Sequence, residues 1–115
     1  MSTWTQQEGI AFCAMLEAIT PKYGCHVGLT GGLLYKEGPR KDCDVILYRI
    51  RQAERIQVEQ LLSRFALLGV ETNEGFGFCY KGTYKGKRVD FLLPEEAGNS
   101  YQEELEAVAV DPFAF

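Results

Sequence analysis

Ile10, Phe12, Cys13, Leu16 and Ile19 recur at close to helical spacing, behind a Thr5 and Glu8 placed three apart as in a capping box. The spacing predicts a first helix over about residues 6–19, broken between Pro21 and Gly24. CHVGLT is short, partly β-branched and followed by Gly31-Gly32, which predicts a buried strand closed by a tight turn. A short helical turn and a loop with Gly38 and Pro39 as breakers lead to DCDVILYRI, apolar enough for a strand inside a sheet. Val58, Leu61, Leu62, Phe65 and Leu68 follow the i, i+3, i+4, i+7 pattern with Gly69 as a stop, predicting a second helix over about residues 54–68. GFGFCYKGTYKGKRVDFLL reads as an antiparallel hairpin turning near Gly86, and Pro94 ends its last strand. Ser100 and Glu103 suggest a cap for a short final helix to about residue 108, with DPFAF as a docked or frayed tail.

Helix, strand, glycine turn, strand, helix and hairpin in this order imply an α+β fold, a small mixed β-sheet with helices packed on one face. The 115 residues are expected to form a single domain. Charge narrows the choice of partners. The net charge of -4 argues against coating duplex DNA or an anionic membrane, because both require phosphates to be neutralised. The Lys and Arg residues all lie between Lys22 and Arg88, while the stretch from Glu95 onward is acidic. The opening residues show no positive segment followed by an apolar run, and no window is long enough to span a bilayer, so a cytoplasmic location is expected. Cys13, Cys25, Cys43 and Cys79 are too scattered for a zinc site or a disulfide framework.

Candidate chemistry sits on carboxylates. In a strand, residues two apart share a face, so Asp42 and Asp44 project together while Cys43 points away. Adjacent carboxylates repel, and a hard divalent cation such as Mg²⁺ or Mn²⁺ relieves that repulsion. The alternative is an Asp42 that caps the preceding loop and a solvated Asp44. Asp90 stands within the apolar segment RVDFLL, where it needs a partner, either a metal shared with Asp42 and Asp44 or an ion pair to Arg88, Arg49 or Lys87. Gly31 and Gly32 lack a Cβ, so backbone N–H groups there can approach phosphate oxygens; a ligand-free tight turn is the alternative. His26 reads as a partly buried, satisfied histidine. Tyr80 and Tyr84 alternate with Lys81 and Lys85, a pattern suited to cross-strand packing or to stacking bases beside phosphates.

Taken together, LTGGLLYKEGPRKDCDVIL and KRVDFLL present a Gly-Gly turn, nine residues, an Asp-x-Asp strand and a later strand with one acid. This layout resembles the DNA polymerase beta-like nucleotidyltransferase superfamily, and most of all its minimal members. The resemblance implies that Gly31 and Gly32 contact a triphosphate, with Arg40 and Lys41, and Lys36 as a further candidate, offsetting its charge. It also implies that Asp42, Asp44 and Asp90 ligate Mg²⁺ or Mn²⁺ and carry the transfer of a nucleoside monophosphate from an NTP, such as ATP, to a hydroxyl on a protein, RNA or small molecule. A chain of this size leaves little room to grip the acceptor, so a protein partner or a homodimer is expected to complete that site. The alternative function is a catalytically degenerate binding or regulatory protein on the same fold, such as the partner of a helical toxin-like protein.

Overall fold

The computed structural model describes residues 3–73 and 79–96. The expected final helix and DPFAF tail, and the GFGF start of the hairpin, lie outside the described residues. Helix α1 spans Gln6–Glu17, strand β1 Cys25–Thr30, helix α2 Gly31–Tyr35 and strand β2 Asp42–Arg49. Helix α3 spans Val58–Leu67 and is followed by strands β3 (Val70–Thr72), β4 (Cys79–Tyr84) and β5 (Lys87–Leu92). Short 3₁₀ turns cover Thr20–Tyr23 and Pro94–Glu96.

The capping box forms as its residues dictate: the Glu8 N–H donates to Thr5 Oγ1 at 3.1 Å and the Thr5 N–H donates to Glu8 Oε1 at 2.8 Å. Helix α1 stops at Glu17 rather than residue 19, where Pro21 opens a 3₁₀ turn that ends on Gly24 at φ +95°. The second helix also starts later than its periodicity predicts, at Val58. Ile56 is buried and the Gln57 N–H donates to Tyr23 O at 2.8 Å, so residues 54–57 are held as a non-helical connection. This tertiary anchoring overrides local helix propensity.

The strands form one sheet in the order β1-β2-β5-β4-β3. β2 and β5 run parallel at its centre, and every other neighbouring pair is antiparallel. Lys85 and Gly86, both at positive φ (52° and 77°), make the tight β4–β5 turn, in keeping with a two-residue hairpin. The three-residue β3, which the sequence pattern does not announce, extends the sheet beyond β4.

Period-two alternation decides the two faces. Cys43, Val45 and Leu47 of β2 and Val89 and Phe91 of β5 are buried, with Phe12 of α1 and Phe65 of α3 meeting the Phe91 ring at centroid distances of 6.4 and 5.3 Å. Helices α1 and α3 therefore cover one face, giving the expected α+β layering. Asp42, Asp44 and Asp90 alternate onto the other face. Tyr84 packs into the core beside Phe12 of α1 at 5.0 Å, a contact with the covering helix rather than across strands. Among the described residues no helix is long and apolar enough to cross a membrane.

Candidate functional site

Register brings the acids together across two strands. Asp44 of β2 is the direct partner of Asp90 on β5, and of Thr30 on β1; Asp90 is in turn opposite Lys81 on β4. Thr30, Asp44, Asp90 and Lys81 thus form one row across the sheet. Asp42 opens the row below, opposite Arg88 of β5. Burial pushes the Asp44 carboxyl above its ordinary range, reinforced by the negative charges of Asp90 and Asp42.

The glycine turn closes onto this row. Gly31, at φ +71°, follows β1 directly and opens α2; a Cβ there would fall inside van der Waals contact with Asp44 Oδ2. Both the left-handed backbone and the close approach demand glycine at this position. Gly31→Ala is therefore expected to destabilise the chain by about 1–2 kcal/mol and to displace Asp44, measured as a drop in urea midpoint together with weakened NTP binding in calorimetry. Gly32 is less constrained, its nearest neighbour being the Arg40 side chain.

A cavity of about 430 Å³ is lined by Gly32, Pro39, Arg40, Lys41, Asp42 and Asp44. Five of the seven residues singled out in the sequence thus share one concavity, Gly31 packs against its Asp44 wall, and Asp90 stands beside that wall on β5. Lys36 lines a separate cavity, with Thr5, Gln6 and Pro39 among its walls. Arg40 is held in place by Trp4, whose N–H donates to Arg40 O at 2.7 Å and whose O accepts from the Arg40 N–H at 2.9 Å. The Trp4 indole N–H also donates to Arg88 O at 2.7 Å, so one buried tryptophan fixes the backbone at both arginines that flank the acids. Arg40 Nε is buried without a hydrogen-bond partner among the described residues, a guanidinium N–H still able to meet an anion.

The carboxylates differ in their partners. Arg88 Nε lies 3.1 Å from Asp42 Oδ1 as an ion contact, but the oxygen is buried and receives no aligned hydrogen bond. Asp90 is paired with Lys81, Nζ to Oδ1 3.5 Å, rather than with Arg88, Arg49 or Lys87. Among the described residues, no three His, Cys, Asp or Glu side chains are already arranged as a ligand cluster. Oxygen-only donors, an Asp42 oxygen with an ion contact but no hydrogen bond, and the crowding of Asp44 by Asp90 nonetheless fit a hard divalent cation.

Trp4 is the participant that the sequence pattern missed. Arg88, expected as a candidate partner of Asp90, faces Asp42 instead, and Lys81, read only in the Tyr–Lys alternation, faces Asp90, because pairing across strands rather than spacing along the chain sets these neighbours. His26 is satisfied as expected: its Nδ1 lies 2.6 Å from Glu17 Oε2, while Glu17 Oε1 accepts from the Val27 N–H at 2.9 Å. Burial works to raise the Glu17 carboxyl, but the Val27 N–H and His26 overcome it and hold the carboxyl below its usual range. Cys13 and Cys43 are buried thiols, pushed up by burial to about 11 and about 12, and are inert beneath the sheet.

No family model and no curated protein matches this chain. Solved structures do match. Leishmania infantum polymerase beta in its ternary P/T complex superposes at TM-score 0.59, with 20% identity over 80% of this chain and 43% of that one. The same organism's polymerase beta in a ternary gap complex gives TM-score 0.60, 19% identity, and coverage of 80% and 38%. The fold is that of the matched part of polymerase beta. The chain spans less than half the length of these neighbours, and at this identity the likeness is one of fold. The polymerase beta-like sheet is also what the Gly-Gly and Asp-x-Asp layout implied.

Proposed function

We propose that this chain is a minimal, metal-dependent nucleotidyltransferase that moves a nucleoside monophosphate from an NTP to an acceptor hydroxyl. The observation that carries this reading is the parallel β2–β5 register, which sets Asp90 beside Asp44, itself a wall of the cavity that Gly32, Arg40, Lys41 and Asp42 also line. Asp42, Asp44 and Asp90 would hold Mg²⁺ or Mn²⁺. When bound there, such cations offset triphosphate charge and stabilise the displacement at the α-phosphorus.

The chain's own residues supply the rest. Gly31 and Gly32 let the backbone approach the triphosphate, and Arg40 and Lys41 add positive charge on the same wall. The acceptor oxygen forms its bond to the α-phosphorus as the bond to the bridging oxygen breaks and pyrophosphate departs. In this reading Asp90, one strand farther from the glycine turn, takes the acceptor proton. A protein partner or a second copy completing the acceptor side belongs to this reading, as does a cytoplasmic setting.

Incubation with Mg²⁺ or Mn²⁺, α-labelled NTPs and candidate acceptors is expected to label an acceptor or the chain itself, and an Asp42→Ala, Asp44→Ala double variant to lose that label. Equal labelling by the double variant rejects the catalytic role of these acids. Calorimetric NTP binding with no turnover on any acceptor supports instead a degenerate, nucleotide-binding regulatory protein, a reading favoured by the two basic side chains already on Asp42 and Asp90.

A further inference from the structure

Two of the three acids have a base built opposite them. Arg88 faces Asp42 from the neighbouring parallel strand and Lys81 faces Asp90 from the neighbouring antiparallel strand, each in direct register. Their side chains stand 3.1 and 3.5 Å from the carboxylates. Backbone pairing, not a chance rotamer, sets these neighbours, and Trp4 pins the Arg88 carbonyl. Asp44, between them, faces Thr30 and the like charge of Asp90, with no base opposite it.

We propose that Arg88 and Lys81 are resident counter-ions of the acid row, holding Asp42 and Asp90 until a divalent cation arrives and takes the carboxylates from them. The proposal rests on the metal reading given above. Three carboxylates against two bases leave a single unbalanced negative charge, so a free cation is drawn far less strongly than to a bare acid cluster. Both pairs are loose enough to yield. The Arg88 and Lys81 side chains are 65% and 56% exposed, so each can turn back into water at little desolvation cost. Once displaced, they leave two positive groups at the rim of a site whose ligand is a polyanion. A cation that arrives with its own triphosphate satisfies both the acids and the released bases, whereas a bare cation strands the bases. The row is thus tuned to metal–nucleotide over free metal.

Titration calorimetry of the full chain with Mn²⁺ alone tests this without relying on activity. Arg88→Gln is expected to tighten Mn²⁺ binding roughly two- to tenfold, because it removes a competing cation from Asp42, and Arg88→Lys to stay near the parent value. Thermal unfolding supplies a second readout: Arg88→Gln should melt lower without metal and gain more from Mn²⁺ than the parent does. Lys81→Gln should behave alike at the Asp90 end, and carries the test should Arg88→Gln fail to fold. Parent and variants binding Mn²⁺ with equal affinity, or variants binding more weakly, overturns the counter-ion proposal while leaving the metal reading standing. No Mn²⁺ binding by any of the proteins overturns both.

Discussion

Asp44→Asn is expected to abolish nucleotide transfer while making the metal-free chain more stable at neutral pH. The loss of activity follows from position: Asp44 touches the glycine turn, lines the cavity and neighbours Asp90, so removing its charge removes the centre of the proposed metal site. A fall of at least about 100-fold in labelling is expected, in the range of losing one preorganised charge at a reaction centre. The gain in stability follows from the raised carboxyl. Burial, then Asp90 and Asp42, favour the neutral form of Asp44 in the folded chain above its ordinary value of 3.8. A group raised in this way contributes stability in full below its unfolded value and loses it as pH rises through the folded value. Parent and Asp44→Asn should therefore melt alike near pH 3.5 to 4 (about the unfolded carboxylate value), with the variant ahead as pH climbs toward neutrality. Adding Mn²⁺ should close the gap by stabilising the parent alone. A variant that melts lower at every pH contradicts the account of Asp44 as a strained, functional carboxylate. Such a trade of stability for activity is common where like charges are gathered for function.

Phe91→Ala is expected to be the most damaging core substitution. Phe91 is fully buried on β5, the strand that carries Asp90, and its ring meets Phe12 of α1 and Phe65 of α3. Truncating a buried Phe costs about 3–5 kcal/mol, a large share of the 5–15 kcal/mol of a typical domain. A urea or thermal melt should show a midpoint far below the parent's, and the acid site should fail with it because β5 loses its anchor. Leu67→Ala makes the control: Leu67 is 78% exposed at the end of α3, so a change within about 0.5 kcal/mol is expected. Comparable destabilisation by the two would mean that α1 and α3 do not share a core across Phe91.

Much of this architecture was legible one segment at a time. The Thr5–Glu8 cap, the i, i+3, i+4 stripe of α3 and the Lys85-Gly86 turn are each written within a few residues, because their hydrogen bonds close locally. Alternation alone put Asp42 and Asp44 on the same face, and the Gly31-Gly32 turn was marked by its lack of side chains. Where local reading failed, a distant contact had intervened: buried Ile56 and the Gln57–Tyr23 hydrogen bond kept residues 54–57 out of α3.

The meeting of Asp90 with Asp44 belongs to a different level. They are joined by a parallel pairing that α3, β3 and β4 separate along the chain, and no period or motif within either segment encodes which strand lies beside which. Arg88 follows from the same pairing, Lys81 from the antiparallel β4–β5 pairing, and the tryptophan that ties Arg40 to Arg88 from a separate bridge. The sequence by itself determined which carboxylates and glycines were available and which face each would take, because those depend on backbone periodicity. Tertiary structure alone decided that they meet at one place on the sheet, and what charge stands opposite each acid, because strand order and register are set by burying the helix-covered face as a whole.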